Sequence, residues 1–172
     1  MAVSVLRLGH RIYRDQRITT HVFLTARALG VKEGFYTGQR DTSMEESIGH
    51  ICKDFGGSFK ITYLENWKSF LQKWKSGGGR IAHLTVYGLP FKKTPKRRDR
   101  LMVVVGGEKV PPEIYQMADW NVAVGSQPHS EVAALGLFLY EQNGRKLPEK
   151  FVKARLRVVP QERGKKVLEK AP

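Results

Sequence analysis

Short apolar runs alternate with amphipathic segments along the chain, which predicts strands that alternate with helices. The clearest strand is 101–105, where the apolar residues are uninterrupted, as in strands that are buried on both faces. Glycine, polar or charged residues bound the other runs. The predicted strands are 3–8, 34–37, 59–64, 81–87, 101–105 and 121–124.

Helices are predicted between these strands, where apolar residues recur every three or four positions. Residues 66–75 show the pattern best, because Trp67, Phe70, Leu71 and Trp74 fall on one face. Thr42 and Ser43 are expected to cap the second helix, and Gly30 to end the first. The predicted helices are 18–29, 43–55, 66–75, 112–118 and 130–141. This order indicates an α/β fold with a mostly parallel sheet and helices on both faces.

The pattern changes after residue 143, where basic and apolar residues alternate between Pro148 and Pro160. We therefore expect one α/β domain over residues 1–143 and a basic C-terminal extension over 144–172, packed on or near it. The helix at 130–141 has too many apolar positions for one buried face, which favours a homodimer interface over burial on two sides within one chain.

The chain is strongly basic, with 30 Lys and Arg against 16 Asp and Glu and a formal net charge of +14. Such an excess favours a phosphate backbone as partner. One cluster places six basic residues between 91 and 100, and another places eight between 150 and 170. Charge alone leaves RNA, DNA and an anionic membrane open. The residues predicted to bind RNA are Arg14, Lys92, Lys93, Lys96, Arg97 and Arg98.

Several other chemistries lack support in the sequence. Cys52 is the only cysteine, so an internal disulfide and a cysteine zinc cage are excluded, and a reducing compartment is favoured. His83 and His129 stand alone, so no metal is expected. No apolar stretch reaches the length of a membrane span, which favours a cytoplasmic protein. Rossmann, P-loop and nucleophile-elbow motifs are missing from the chain.

Three predicted strands end in glycine-containing turns, at 84–88, 105–109 and 124–130. Ligands of open parallel sheets bind beyond the carboxyl ends of the strands, and glycine lets a ligand approach the backbone closely. A fourth polar segment, 14–21, precedes the helix predicted at 18. Its two arginines, Arg14 and Arg17, would lie near a helix N-terminus, where anions are favoured.

Three segments of the chain resemble a known enzyme family. They are RDQRITTHVFLTARALG at 14–30, VVVGGEKVP at 103–111 and NVAVGSQPHSEVAAL at 121–135. Together they resemble the archaeal tRNA cytidine-56 ribose 2′-O-methyltransferases of the SPOUT superfamily. The resemblance implies S-adenosylmethionine as methyl donor, tRNA as substrate, a deep C-terminal trefoil knot, and a homodimer with its active site at the subunit interface.

The resemblance also implies which residues form the site. Arg17 is expected to grip the phosphate beside the target ribose, with Asp15 or His21 orienting it. Arg17 is chosen from the neighbouring turn, because Leu24 stands where a larger branch of the superfamily carries its catalytic arginine. In that comparison His129 and Glu131 replace an asparagine and a serine. The expected cofactor-binding residues are Leu84, Thr85, Gly106, Gly107, Glu108, Lys109, Val110, Gly125, Ser126, Gln127, Pro128, His129 and Ser130.

Two other functions remain open from the residues. A non-catalytic RNA-binding or ribosomal protein would explain the charge, but it would leave the three glycine turns without a role. A methyltransferase that acts on an RNA base would use the same turns. The residues alone do not identify the modified nucleotide or the proton acceptor. They also leave open whether the extension contacts RNA or a second subunit.

Overall fold

The computed structural model describes residues 3–91, 100–107 and 109–169, without the side chain of Gln16. Within these ranges six parallel strands form one sheet, in the order β3-β2-β1-β5-β4-β6. The strands are β1 (Val3–His10), β2 (Glu33–Gly38), β3 (Lys60–Tyr63), β4 (Arg80–Pro90), β5 (Leu101–Gly106) and β6 (Trp120–Ala123). The helices are α1 (Ile12–Ala28), α2 (Thr42–Phe55), α3 (Trp67–Ser76), α4 (Pro112–Met117) and α5 (Glu131–Gln142). The predicted α/β class is confirmed.

Helices cover both faces of the sheet. The central strand β5 is therefore buried on both sides, which explains why its sequence is apolar throughout. Val103 and Val105 point into a cluster with α1, α2 and α5. Met102 and Val104 point to the opposite face, into a cluster with α3 and α4. All four side chains are fully buried. Each contributes about 1.5–3 kcal/mol through removal of apolar surface from water, so the central strand anchors a three-layer core.

Helix α1 begins at Ile12 rather than at residue 18, so the prediction that the polar segment 14–21 precedes the helix is wrong. The polar segment forms the first turns of the helix instead. Asp15 and Thr19 are buried toward the sheet, while Arg17 and His21 are exposed. Buried polar side chains broke the apolar periodicity on which the prediction depended.

Helix α2 is capped by Asp41, whose carboxylate accepts a hydrogen bond from the backbone N–H of Met44 (2.9 Å). The prediction of Thr42 or Ser43 as the cap is therefore wrong by one or two residues. Asp41 is 4% exposed, so the cap is also part of the interior. The caps Asn66 of α3 and Ser130 of α5 lie directly before their helices, as their spacing favours.

The C-terminal extension forms an antiparallel hairpin of β7 (Leu156–Val159) and β8 (Lys166–Glu169). An isolated two-stranded hairpin is marginally stable, so its contacts with the domain matter. Arg155 donates to Asp54 at the end of α2 (2.8 Å), and the N–H of Gly57 donates to the carbonyl of Val152 (2.9 Å). These contacts hold the extension against the end of α2.

The strand order determines where a ligand can bind. From β1 the chain proceeds to β2 and β3 on one side of the sheet, whereas β4, β5 and β6 lie on the other side of β1. The crevice at such a change of direction opens beyond the carboxyl ends of the strands. The predicted glycine turns after β5 and β6 lie at this edge. The turn predicted at 84–88 is wrong, because β4 continues through these residues to Pro90, with a shift in its register to β6.

Candidate functional site

A cavity of about 410 Å³ lies beside residues 83–87 of β4 and beyond the carboxyl ends of β5 and β6; we name it the glycine-turn pocket. It brings together seven residues that the sequence predicted for one site. These are Leu84, Thr85, Gly106, Gly107, Val110, Pro128 and His129. Three more lining residues, Val86, Tyr87 and Val124, lie in the predicted turn segments. Sequence reasoning missed the other four, which are His83, Tyr115, Glu131 and Ala134. The volume is within the usual range for a small-molecule site.

Glycine is needed at the β5 end of this pocket. A Cβ on Gly106 would clash with Cγ2 of Val110, which lines the same cavity. A Cβ on Gly107 would lie 3.4 Å from Nη2 of the buried Arg7. A side chain at Gly106 would therefore intrude on the pocket wall, whereas a methyl group at Gly107 would make an ordinary van der Waals contact with Arg7.

His83 supplies a fixed polar group at the pocket. The Nδ2 of Asn121 donates to the carbonyl of Tyr115 (2.8 Å), so Asn121 presents Oδ1 to Nδ1 of His83 (2.9 Å). Nδ1 must therefore carry the proton. Burial lowers the pKa of His83, with the Asn121 contact opposing the shift, so the ring is neutral. Its buried Nε2 has no hydrogen-bond partner among the described residues, which leaves one acceptor unused.

A second cavity, of about 520 Å³, lies beyond the ends of β1 and β2; we name it the basic cleft. Its basic side chains are Arg11, Arg14 and Lys109, and it opens beside the first turn of α1. The remaining lining residues are Leu8, Gly9, His10, Gly38, Gln39 and Gly107. Since Gly107 also lines the glycine-turn pocket, the two cavities meet at this residue.

A buried ion network lies between the two cavities. Arg7 of β1 is 1% exposed; it donates from Nη1 to the carbonyl of Leu8 (2.5 Å) and from Nη2 to Glu131 (3.3 Å). Its Nη2 is also 3.9 Å from the carboxylate of Asp15. The side chain of Arg11 bonds to Asp15 (2.8 Å), which lowers the pKa of that carboxyl despite its burial. The network joins the start of α1 to the start of α5. Arg7 carried no signal in the sequence, because a single arginine in an apolar strand resembles a surface residue.

His10 forms a second buried polar group at the end of β1. Its Nδ1 is 2.9 Å from the hydroxyl of Thr19, and its Nε2 is 3.2 Å from the carboxylate of Asp41. His10 and Thr19 are completely buried. The group ties β1 to α1 and α2 and fixes the floor of the basic cleft.

Some predicted site residues are not gathered into the cavities. Gly125, Ser126, Gln127 and Ser130 are exposed in the turn before α5 and line neither of them. Arg17 and His21 are exposed on α1, one and two turns beyond the basic cleft. Glu108, Lys92, Lys93, Lys96, Arg97 and Arg98 lie outside the described residues.

Two kinds of feature are absent from the described ranges. No helix there is both long and apolar enough to cross a membrane. In the same part of the chain, no three His, Cys, Asp or Glu side chains come together in a way that could hold a metal ion.

The fold of the parallel sheet and its helices is similar to that of solved TrmH/SpoU methyltransferases. A TrmH-family structure from Porphyromonas gingivalis matches with a TM-score of 0.69 and 16% identity over 84% of this chain, which spans 60% of that chain. The SpoU methyltransferase AviRb of Streptomyces viridochromogenes, solved with AdoMet, matches with a TM-score of 0.63 and 14% identity over 82% of this chain and 56% of its own. At these identities the likeness shows the fold.

The sequence comparisons identify the family within this fold class. The model described as tRNA ribose 2′-O-methyltransferase, aTrm56, matches residues 55–168. The tRNA (cytidine(56)-2′-O)-methyltransferase of Methanosarcina mazei is 49% identical over 173 residues, which cover 98% of this chain and 97% of that protein. The chain belongs to the aTrm56 family of tRNA ribose 2′-O-methyltransferases. The resemblance carried by the three sequence segments is confirmed.

Proposed function

We propose that this protein transfers a methyl group from S-adenosylmethionine to the ribose 2′-hydroxyl of cytidine 56 in tRNA, the nucleotide named for its curated relatives. One observation carries the proposal. The glycine-turn pocket and the basic cleft meet at Gly107, which gives a small-molecule site and a site for an anionic chain a common boundary. A non-catalytic RNA-binding protein would have no need of the first cavity.

The residues of the glycine-turn pocket fit the methyl donor. The apolar side chains of Leu84, Val110 and Ala134 suit a nucleoside, and the unused Nε2 of His83 offers a hydrogen-bond acceptor. Gly106 keeps the wall open. When bound, S-adenosylmethionine supplies an electrophilic methyl group. The exposed turn of Gly125, Ser126, Gln127 and Ser130 is proposed to close over it. Glu108 and Lys109 complete the proposed cofactor set.

The basic cleft fits an RNA backbone. Arg11, Arg14 and Lys109 line it, and the N-terminus of α1 adds a positive dipole end that favours a phosphate. The formal net charge of +14 supplies a long-range attraction to tRNA. Lys92, Lys93, Lys96, Arg97 and Arg98 are proposed as further RNA contacts.

The protein's main contribution to the reaction is position. A ribose hydroxyl is a weak nucleophile, and holding it in line with the methyl group removes several kcal/mol from the barrier. Arg17 is proposed to grip the phosphate beside the ribose, with His21 orienting it. Asp15 is a poor proton acceptor, since its bond to Arg11 lowers its pKa. Its proposed role is to position Arg11 at the cleft.

We propose that the active protein is a homodimer. Arg17 lines neither cavity of its own chain, so its role in methyl transfer requires the pocket of a partner subunit. Leu137 supports an interface along α5, because 55% of this large apolar side chain is exposed, whereas the adjacent Phe138 and Leu139 are buried. We also propose that the chain carries the trefoil knot of the superfamily. The proposed division is a domain over residues 1–143 and an extension over 144–172.

The position of a transferred label tests the proposal. Purified protein is incubated with methyl-tritiated S-adenosylmethionine and an unmodified tRNA transcript, and the RNA is digested to nucleosides. We expect the label in 2′-O-methylcytidine. Label that stays with the free base after cleavage of the glycosidic bond would indicate a base methyltransferase, and no label would indicate an RNA-binding protein without this activity.

A further inference from the structure

The described lining of the glycine-turn pocket contains a single carboxylate, although the protein as a whole is strongly basic. Among its described lining residues Glu131 is the only acidic side chain, and no Lys or Arg lines the cavity. His83 is neutral because burial lowers its pKa. His129 turns its ring nitrogens toward the carbonyls of Val124 (2.6 Å) and Ser130 (3.0 Å). Among the described lining residues, Glu131 is therefore the one carboxylate that a ligand meets.

Two interactions hold that carboxylate in place, and its exposure shows that it reaches the cavity. Glu131 is the first residue of α5, where the helix dipole favours a negative charge. Nη2 of Arg7 donates to its Oε1 (3.3 Å) from beneath the pocket. The side chain of Glu131 is 20% exposed, whereas that of Arg7 is 1% exposed. The anion thus reaches the cavity surface, while the cation that orients it stays buried.

The charge of the proposed methyl donor changes during the reaction. S-adenosylmethionine carries a sulfonium cation. On transfer the S–CH₃ bond breaks with its electron pair kept by sulfur, the O–CH₃ bond forms, and the hydroxyl proton passes to solvent. The spent donor, S-adenosylhomocysteine, contains a neutral thioether. A carboxylate in the pocket attracts the first species more strongly than the second.

We infer that Glu131 is the charge-selecting residue of the donor pocket: it favours the sulfonium donor over the spent thioether and thereby assists exchange of product for fresh substrate. Arg7 is its positioning residue. The inference rests on the proposed function, since it requires that the pocket binds S-adenosylmethionine. It concerns the difference between two affinities, which neither the fold nor the family determines.

Calorimetric binding of both ligands to the full-length protein tests the inference without measuring turnover. Glu131→Gln keeps the shape of the side chain and removes its charge. It is expected to weaken S-adenosylmethionine binding about ten-fold and S-adenosylhomocysteine binding less than about three-fold, as for loss of one charge-assisted contact partly offset by Arg7. The matched control is Glu169→Gln, an exposed glutamate of the C-terminal hairpin that is paired with Arg155 and should change neither affinity.

Equal weakening of both ligands, or of neither, overturns the charge-selecting role while leaving the proposed function intact. If wild-type protein binds neither ligand, the proposed function fails with it. A measurement on wild-type protein alone guards against misfolding of the variant. It compares 5′-methylthioadenosine with its S-methylated sulfonium, which differ in charge and one methyl group. We expect tighter binding of the sulfonium, and equal binding of the two overturns the inference.

Discussion

Replacement of Arg7 by methionine tests the buried network that joins the two cavities. Breaking a buried ion pair by removal of one partner costs about 3–5 kcal/mol. The structure places this case at the lower end, because Asp15 keeps its bond to Arg11 and the Glu131 side chain is 20% exposed. The buried Nε of Arg7 has no partner among the described residues, so its removal also relieves a desolvation cost. We expect a loss of about 2–3 kcal/mol in the free energy of unfolding.

Urea denaturation measures this loss, and thermal melting should show a decrease in Tm of about 5–10 °C for a chain of this size. The control is Arg80→Met, since Arg80 is 56% exposed and bonds to Asp119 at 2.9 Å. This change should cost about 0–1 kcal/mol, because Arg80 is exposed and Asp119 keeps the N–H of Ile81 (2.8 Å) and the ammonium of Lys75 (3.5 Å) as partners. Glu131→Gln should cost less in the Arg7→Met background than in the wild type, because the two side chains are in contact. A loss below about 1 kcal/mol for Arg7→Met would refute the network as a structural element.

Three further changes probe the pocket, the substrate side and the pH dependence. Gly106→Ala should weaken S-adenosylmethionine binding at least about ten-fold, because its Cβ clashes with Val110. The control Gly136→Ala should leave the affinity unchanged, since its Cβ would make only an ordinary contact. Equal affinities of the two variants in calorimetry would contradict the pocket assignment. Arg17→Ala should abolish most methyl transfer and leave donor affinity unchanged, so wild-type turnover on tRNA would remove Arg17 from the site. Burial lowers the pKa of His83 below its usual 6.5. As the pH drops through 6.5, the unfolded chain therefore binds a proton at this residue while the folded protein does not. The free energy of unfolding should fall in this range. His83→Gln should flatten that part of the urea-measured stability profile, and an unchanged profile would count against the neutral buried ring.

The sheet was predictable because its apolar signal is strong. Uninterrupted runs such as 101–105 and the helical face of 66–75 leave few alternatives. The glycine turns after β5 and β6 point to the edge of the sheet where the pocket lies. The start of α1 was not predictable in the same way. Asp15 and Thr19 occupy inward positions where the periodic pattern expects apolar residues, because buried partners satisfy them.

The glycines of the donor pocket were predicted better than the buried ion network beneath it. Glycines such as Gly106 and Gly107 mark close approach of the backbone, and this local signal survives in the sequence. Arg7 and Glu131 are 124 positions apart, and only the fold brings them to 3.3 Å. His83 likewise gains its fixed tautomer from Asn121, which lies on a neighbouring strand. Interactions of this kind depend on strand order, which the alternation of elements does not specify.

Methylation of two synthetic tRNAs tests the central claim most directly. One transcript carries cytidine at position 56 and the other carries dC56, which lacks only the 2′-hydroxyl. After incubation with S-adenosylmethionine, nuclease digestion and mass spectrometry locate any added methyl group. We expect the first tRNA to gain one methyl group on the ribose of nucleotide 56 and the second to gain none. A methyl group on the dC56 transcript, or on another nucleotide of the first, would contradict the account.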